Sequence, residues 1–581
     1  MKKFVMLACL VALLIVAVVP ASAQSPSELT ALARYYPVDA PFFVGVRTDD
    51  TFLQSLEALA TRVSEIPGAD MDIPETGYMG TLDLVLGEVV EGGTFDNVVR
   101  SWLGNSVAVG GLSLDALTDD DSDNDRDVTL TALEITDRAA TEAFVQEVLI
   151  PGMNRGDDLT IETDEQVDYT AYTITNSEGS TQYWVIFNDV AFVSESPDAL
   201  PMNGFPENTL DQSEQFQSAL AELPADSYNF VAFVDMGSFA RVAVERNSEE
   251  FAAPGFLTVL EAVDAMVVGG TFPDERTLAL DIAQTVTDPA ALGAVGISST
   301  AFEPVDPQFA RFIPAGTPLV IHSTNLRASY ENLLNSLRTA AETMPEADFT
   351  AEDIEQGLQQ INFVVRGLTG FTLQEGFTNW MSGDFALYLA LRENFPTSMQ
   401  TAFALDTLPV DFGILFEATD PSRVQEVVTN LAENLGSFAQ EEGVSVTTEA
   451  IGGVNTLVIT TPEDGDAPFP IEVLIAASDE VFVVGTRSAV EAALVGNTSL
   501  LDDPLYNEAA AYLLPEPRQV LYMAGENLMP LVDLARATAD ADSMDDAEQL
   551  EFALTLFHSS SISQTVTDRG TTLLRAVMTL P

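Results

Sequence analysis

Along this chain, short apolar runs with the period of β-strands alternate with longer stretches at helical spacing. Phe42–Val46 has the pattern of a buried strand, and Thr51–Val63 has that of a helix. Ser106–Leu114 and Val128–Ile135 read as two strands joined by an acidic loop. Thr136 or Asp137 then caps a helix running to Ile150. Further strands fall at Leu159–Thr163, Tyr169–Thr175, Gln182–Phe187 and Val190–Ser194, with Ser177-Glu178-Gly179 as a hairpin turn. A short helix at Pro197–Leu200, another ending near Leu223-Pro224, and the hairpin Met266–Phe272 with Thr277–Val286 complete the succession.

The second half of the chain repeats this order. Asp420 is a natural N-cap with Pro421 at N1, and Val424, Val427, Val428, Leu431 and Leu435 share one helix face. Strands follow at Val444–Glu449, Thr456–Thr460, Ile471–Ala476 and Val481–Gly485, then a helix at Ser488–Leu494 and a hairpin over Ser559–Val566 and Thr571–Leu580. Local sequence recurs with the pattern. Pro37-Val38-Asp39-Ala40-Pro41 returns as Pro314-Ala315-Gly316-Thr317-Pro318, and Leu210-Asp211 returns as Leu501-Asp502. Ser101-Trp102-Leu103-Gly104 returns as Asn379-Trp380-Met381-Ser382-Gly383. The expected fold class is therefore α+β, built as two tandem pseudo-repeats, each a mainly antiparallel sheet with packed amphipathic helices. The repeats are expected over residues 24–290 and 305–581, with 291–304 as linker and 1–23 as a leader.

These elements resemble a known family. They are the Pro-led start, the tryptophan just ahead of a glycine turn into a strand, and the Asp-led helix. A Tyr- and Val-rich hairpin and the Leu-Asp segment ending in Leu-Pro complete the set. Together they are similar to the exported bacterial proteins grouped as domain of unknown function 3352, with both halves carrying the pattern. Asn105 departs from it, standing where an acidic or glycine residue is usual. The resemblance implies an extracytoplasmic location and a repeated α+β build, and it implies no catalytic residues.

The N-terminus changes the picture by adding a destination. Lys2 and Lys3, the apolar run Phe4–Val19 and Ala21-Ser22-Ala23 make an export signal, with the mature chain expected to start at Gln24 and to carry no membrane span. Cys9, the one cysteine, lies inside that signal. The mature chain then has no disulfide, thiolate nucleophile or cysteine-held metal.

Charge narrows the partners. Asp and Glu number 90 against 23 Lys and Arg, a formal net charge of −67. Such a polyanion repels phosphate backbones, so no nucleic-acid partner is expected, and anionic lipid surfaces are disfavoured. With 46% apolar residues the chain still folds, carrying its carboxylates on the surface. Salt tolerance, mutual repulsion between secreted copies and attraction of cations all fit such a surface.

Candidate chemistry is sparse. His322 and His558 are the two histidines, and neither has a histidine counterpart in the first half, where Gly45 falls near the place of His322. No Gly-x-Ser-x-Gly elbow, HExxH pair or lysine-bearing phosphate loop occurs. Gly92-Gly93 and Gly269-Gly270 read as turn or bulge glycines. The loop Asp119–Asp127 offers Asp119, Asp121, Asp123 and Asp125 as hard oxygen ligands for Ca²⁺. It misses the EF-hand pattern, having Asn124 at the glycine position and Leu130 at the closing glutamate position. A solvated hairpin tip fits it better. Trp102 and Trp380 have the flat faces that stack on sugars, but their position before a tight turn into a strand suits a core plug. Asp137/Asp420 and Asp274/Asp568 recur at a helix start and a hairpin turn, where backbone geometry favours Asp. The functional expectation is an exported, non-enzymatic envelope or extracellular protein, secreted and working through its surface or a groove between lobes. The alternatives are a secreted hydrolase using paired carboxylates and a carrier of a lipid-like ligand. No cofactor is expected beyond the weak Ca²⁺ candidate, and the partner is an envelope or extracellular one of unspecified kind.

Overall fold

The β-period runs pair as antiparallel ladders in a computed structural model of the protein. It describes residues 25–64, 66, 77–90, 92–112, 129–154, 159–240, 262–274, 276–289, 302–343, 350–392, 395, 410–439, 444–461, 471–496, 498–538 and 544–581. The leader 1–23 and the loop holding Asp119, Asp121, Asp123 and Asp125 lie outside these residues. The described residues fall into two units. The first ends at Thr287, without Ile66 and Ala262, and the second runs from Asp288 to Pro581.

In the first unit ten strands form one antiparallel ladder: β1 (Phe42–Arg47), β2 (Leu103–Gly111), β3 (Thr129–Ile135), β4 (Thr160–Glu165), β5 (Thr170–Thr175), β6 (Thr181–Ile186), β7 (Val190–Ser194), β8 (Phe230–Asp235), β9 (Val263–Thr271) and β10 (Thr277–Val286). Their order across the sheet is β10-β9-β8-β1-β2-β3-β7-β6-β5-β4. β4 ends this succession with all six residues exposed, and its Glu162, Asp164 and Glu165 place charge where an unpaired strand edge would otherwise invite another chain.

The second unit contains β11 (Leu319–Thr324), β12 (Asp384–Leu391), β13 (Val410–Glu417), β14 (Ser445–Ile451), β15 (Val454–Thr460), β16 (Glu472–Ala477), β17 (Val481–Gly485), β18 (Gln519–Ala524), β19 (Ser559–Val566) and β20 (Thr572–Thr579). Its order is β20-β19-β18-β11-β12-β13-β17-β16-β15-β14, the same succession as the first unit. Register matches too. Gly45 pairs with Ala108 and Val231, while His322 pairs with Ala386 and Val520.

The helices bury the faces their spacing marks. Asp137 accepts the backbone N–H of Ala140 at 3.1 Å, and Asp420 accepts that of Arg423 at 3.1 Å. The Asp137-capped segment is not one regular helix. Arg138–Phe144 passes into a π-helical turn at Val145–Leu149 and ends in a last turn at Ile150–Met153. On the long helix Pro421–Ala439, Val424, Val427, Val428 and Leu431 are buried.

One glycine reading is corrected. Gly269 and Gly270 sit in regular ladder positions of β9, not in a turn or bulge. A β-carbon at Gly269 would meet the Tyr228 ring at 2.5 Å, and one at Gly270 would meet the Phe230 ring at 2.0 Å. These positions hold glycine because aromatic rings lie flat across the strand.

Both cores are filled by large side chains. In the first unit Tyr36, Phe43, Phe216 and Phe233 stack edge to face in a chain, with centroids 5.3, 5.8 and 4.9 Å apart. A second cluster gathers Trp102, Val145, Tyr172, Ile174 and Trp184. In the second unit Tyr506 and Tyr522 stack at 5.2 Å beside Phe309, Leu415 and Leu474. Trp380, Phe416 and Phe482 form the companion cluster. Each such side chain contributes about 1.5–3 kcal/mol by leaving water.

Candidate functional site

Trp102 and Trp380 are core plugs, 3% and 2% exposed. Each follows a π-helical turn, Phe95–Val99 or Gln374–Thr378. That turn leaves a carbonyl for the indole N–H, which donates to Val98 O at 2.9 Å in one case and Gly376 O at 2.6 Å in the other. The next turn is fixed by a threonine: Thr136 Oγ1 donates to Trp102 O at 3.1 Å and Thr419 Oγ1 to Trp380 O at 2.5 Å. The flat indole faces are therefore spent on packing, not on a ligand. Trp184 is buried in the same way, with its N–H donated to Gln182.

Of the recurring aspartates, Asp137, Asp420 and Asp274 hold backbone. Besides the two caps, Asp274 accepts the N–H of Arg276 at 2.8 Å and the hydroxyl of Thr277 at 3.0 Å in its hairpin turn. Hydrogen bonds from Ser422 and the Arg423 N–H hold the Asp420 carboxyl below the usual range.

Among the described residues, three titratable groupings involve a histidine or two close carboxylates without a cation. His322, 3% exposed on β11, lies 2.7 Å from Asp384 Oδ1 through its Nε2 and stacks on Phe309 at 5.5 Å. The same Asp384 oxygen accepts the backbone N–H of Asp306 at 2.9 Å, and Thr324 Oγ1 donates to Glu303 O at 2.6 Å. The pair thus ties the segment before Phe309 to the sheet. In the first unit the same register holds Gly45, where a β-carbon would stand 2.3 Å from Leu29 O of the one-turn helix Pro26–Leu29.

The second grouping is His558. Its Nδ1 lies 3.3 Å from Glu508 and its Nε2 lies 3.5 Å from Glu526. The third is a pair of carboxylates on neighbouring strands, Asp235 and Asp264. Gln215 Nε2 stands between them, donating to Asp235 Oδ1 at 3.2 Å and to Asp264 Oδ1 and O, each at 3.0 Å. Burial pushes the Asp264 carboxyl above its ordinary range, and the charge of Asp235 adds to this. None of these three groupings, as described, sets a nucleophile against a base. Among the described residues no group of three or more His, Cys, Asp or Glu is placed to hold a metal ion. No described helix is long and apolar enough to cross a membrane.

Sequence periodicity missed one surface. The helix Ala351–Thr369 starts from a capping box between Thr350 and Asp353 and ends at Gly370, with φ of 80°. Its inner side is fixed by polar ties. Asn430 Nδ2 donates to Thr369 O at 2.7 Å, Asn434 Nδ2 to Leu368 O at 3.0 Å, and Leu373 N to Asn362 Oδ1 at 2.8 Å. Away from those ties Ile361, Phe363 and Val364 are 48, 81 and 57% exposed, Ile361 and Phe363 on opposite flanks of the helix. A signal was available: Gln356–Val365 carries no charged residue in a chain with 90 acids.

Comparison with known proteins gives a family and no activity. No curated protein and no solved structure matches the chain. The family model described as a protein of unknown function, DUF3352, matches residues 91–576, and the chain belongs to that family.

Proposed function

We propose that this is an exported, internally duplicated protein without catalytic chemistry of its own, which binds an envelope or extracellular partner through its outer surface. The observation that carries this reading is the filling of both interiors. Tyr36, Phe43, Phe216 and Phe233 in one unit and Tyr506, Tyr522, Phe309 and Leu415 in the other occupy the space between sheet and helices. That packing opposes a lipid-like ligand held under the sheet. The shared strand order and register of the two units support descent from one duplicated element. The leader-like residues 1–23 support export, and the acidity supports a soluble extracellular life.

The test is intact-mass analysis of the chain recovered from its host's extracellular or envelope fraction, coupled to cross-linking in place. The expected result is a chain starting at Gln24, free of added mass and cross-linked to a macromolecule. A reproducible lipid or glycan mass would replace this reading with the carrier. Turnover of a glycan or peptide lost on Asp264→Asn would replace it with the hydrolase.

A further inference from the structure

We propose that the open edge of β14 is a pairing site for β14 of a second copy of this chain, an inference that goes beyond the partner-binding reading above and stands without it. β4 and β14 end their ladders at corresponding places, and the chain treats them differently. β4 carries Glu162, Asp164 and Glu165, none of them ion-paired among the described residues. In β14 and β15 together the one charged residue is Glu449, and Arg487 pairs with its carboxylate as well as with that of Glu472. Like charges along an edge turn away another strand, so β4 is guarded and β14 is not.

Backbone geometry fixes what that edge offers. Among the described residues β14 pairs with β15 alone, in register from Ser445 opposite Thr460 to Ile451 opposite Val454. Gly452 and Gly453 join the two strands as a two-residue turn, with φ of 60° and 85°. The pair beside such a turn exchanges both its hydrogen bonds, and the exchange recurs at every second residue. Ser445, Thr447, Glu449 and Ile451 therefore bond to β15, while the N–H and C=O groups of Val446, Thr448 and Ala450 point to the open side. Thr447, Thr448, Glu449 and Ala450 are exposed, so the middle of the strand is reachable from solvent.

Symmetry selects the occupant. Two copies of β14 laid antiparallel about Thr448 put Thr448 opposite Thr448 and Val446 opposite Ala450, so the outward groups meet and about six backbone hydrogen bonds form. The same register sets Thr447 of each copy opposite Glu449 of the other, a hydroxyl donor beside a carboxylate acceptor. A strand edge that matches itself under a twofold axis closes into a dimer. Repulsion between chains of −67 opposes that dimer. Salt screens the repulsion, since the Debye length falls from about 8 Å at ~0.15 M to about 3 Å at ~1 M. A single strand pair is a small interface, so the association is weak and strengthens with salt.

Sedimentation velocity of the full-length mature chain, over about a hundredfold range of concentration at ~0.15 and ~1 M NaCl, tests the pairing. Dimer should appear at the highest concentrations and increase with salt. Thr448→Glu sets two carboxylates at the twofold centre and Thr448→Arg sets two guanidinium groups there. Each variant alone should weaken dimerisation about tenfold with an unchanged melting temperature. An equimolar mixture of the two should recover it, which a misfolded variant could not do. Thr163→Glu, at the matching place on β4, should leave dimerisation unaltered. A chain that stays monomeric under all these conditions overturns the pairing. So does a dimer that survives both Thr448 variants, is lost in Thr163→Glu, or fails to return in the mixture. If the purified chain is monomeric and Thr448→Glu removes envelope cross-links to another protein, a foreign strand and not a second copy occupies the edge.

Discussion

At the centre of its sheet the first unit carries Gly45, and at the same register the second carries His322. The exchange is not isolated. Where the first unit has Gly110 with the Tyr36 ring laid over it, the second has Tyr388 on the strand itself, lying over Gly413. One scaffold thus fills the same volume from two directions, from the segment before β1 in the first unit and from β12 in the second. The positions that the two units have in common are the tryptophan after a π-helical turn, its carbonyl partner four residues back, and the threonine that closes the next turn. Shared elements therefore hold the backbone path at the tryptophan turn, while the exchanged ones fill space and, at His322, add a tie through Asp384 to the segment before Phe309.

The largest effects should come from what the units share. Trp102→Ala and Trp380→Ala each empty a buried site and leave a backbone carbonyl without its donor, so each should cost about 3–5 kcal/mol. Chemical denaturation followed by fluorescence and by backbone circular dichroism measures both. A large cost in one unit and a small one in the other would break the claim of a common scaffold.

Next comes a residue that only the second unit has. His322→Ala takes the Nε2 partner from the buried Asp384 carboxylate and the stacking surface from Phe309, an expected loss of about 3 kcal/mol. The reverse substitution, Gly45→Ala, drives a β-carbon toward Leu29 O and should loosen the one-turn helix Pro26–Leu29. Limited proteolysis near residue 30 reads that loosening. An intact N-terminal turn in Gly45→Ala would mean that the glycine is not required by this contact.

The exchange of fillers can be tested by imposing it. Tyr36→Ile opens a cavity in the first unit, and Gly110→Tyr overpacks it while Tyr36 is present. Together they reproduce the second unit's arrangement of Ile313 and Tyr388. The double variant should be more stable than the sum of single costs predicts, by about 1–3 kcal/mol. Additive costs would show that the two arrangements are not interchangeable solutions to one packing problem.

These comparisons also show what the sequence could carry. The strands and helices read from sequence were legible because apolar alternation and N-caps act locally, as Asp137 and Asp420 show, whereas the helices Leu326–Thr343 and Ala351–Thr369 were not read. The π-helical turns were not, because they exist to aim a carbonyl at an indole several residues away. Gly269 and Gly270 were misread for a related reason: the rings that require them, Tyr228 and Phe230, come from the neighbouring strand and the residues before it. Gly45 was placed opposite His322 from sequence, but Asp384 was not recognised as its partner, since that pairing depends on the β11–β12 register.

The smallest expected effect concerns pH. Asp264, at the start of β9, stands at the register that His558 holds ahead of β19 in the second unit. Burial, reinforced by the charge of Asp235, raises the Asp264 carboxyl above its unfolded range, which lies near ~3.9. A raised folded-state value means that the protonated form favours the fold. The stabilisation is complete below the unfolded value and is lost as pH rises through the folded one. At neutral pH the ionised Asp264 therefore weakens the first unit slightly. Asn keeps an oxygen for Gln215 and removes the charge, so Asp264→Asn should melt a little higher at pH 7. That advantage should shrink steadily as the solution is acidified toward pH 4, because the unaltered residue then becomes neutral as well. Melting curves of Asp264→Asn and the unaltered chain across that range measure the effect. A gain in Asp264→Asn that does not vary with pH would show that the amide improves packing and that the paired carboxylates are not in conflict.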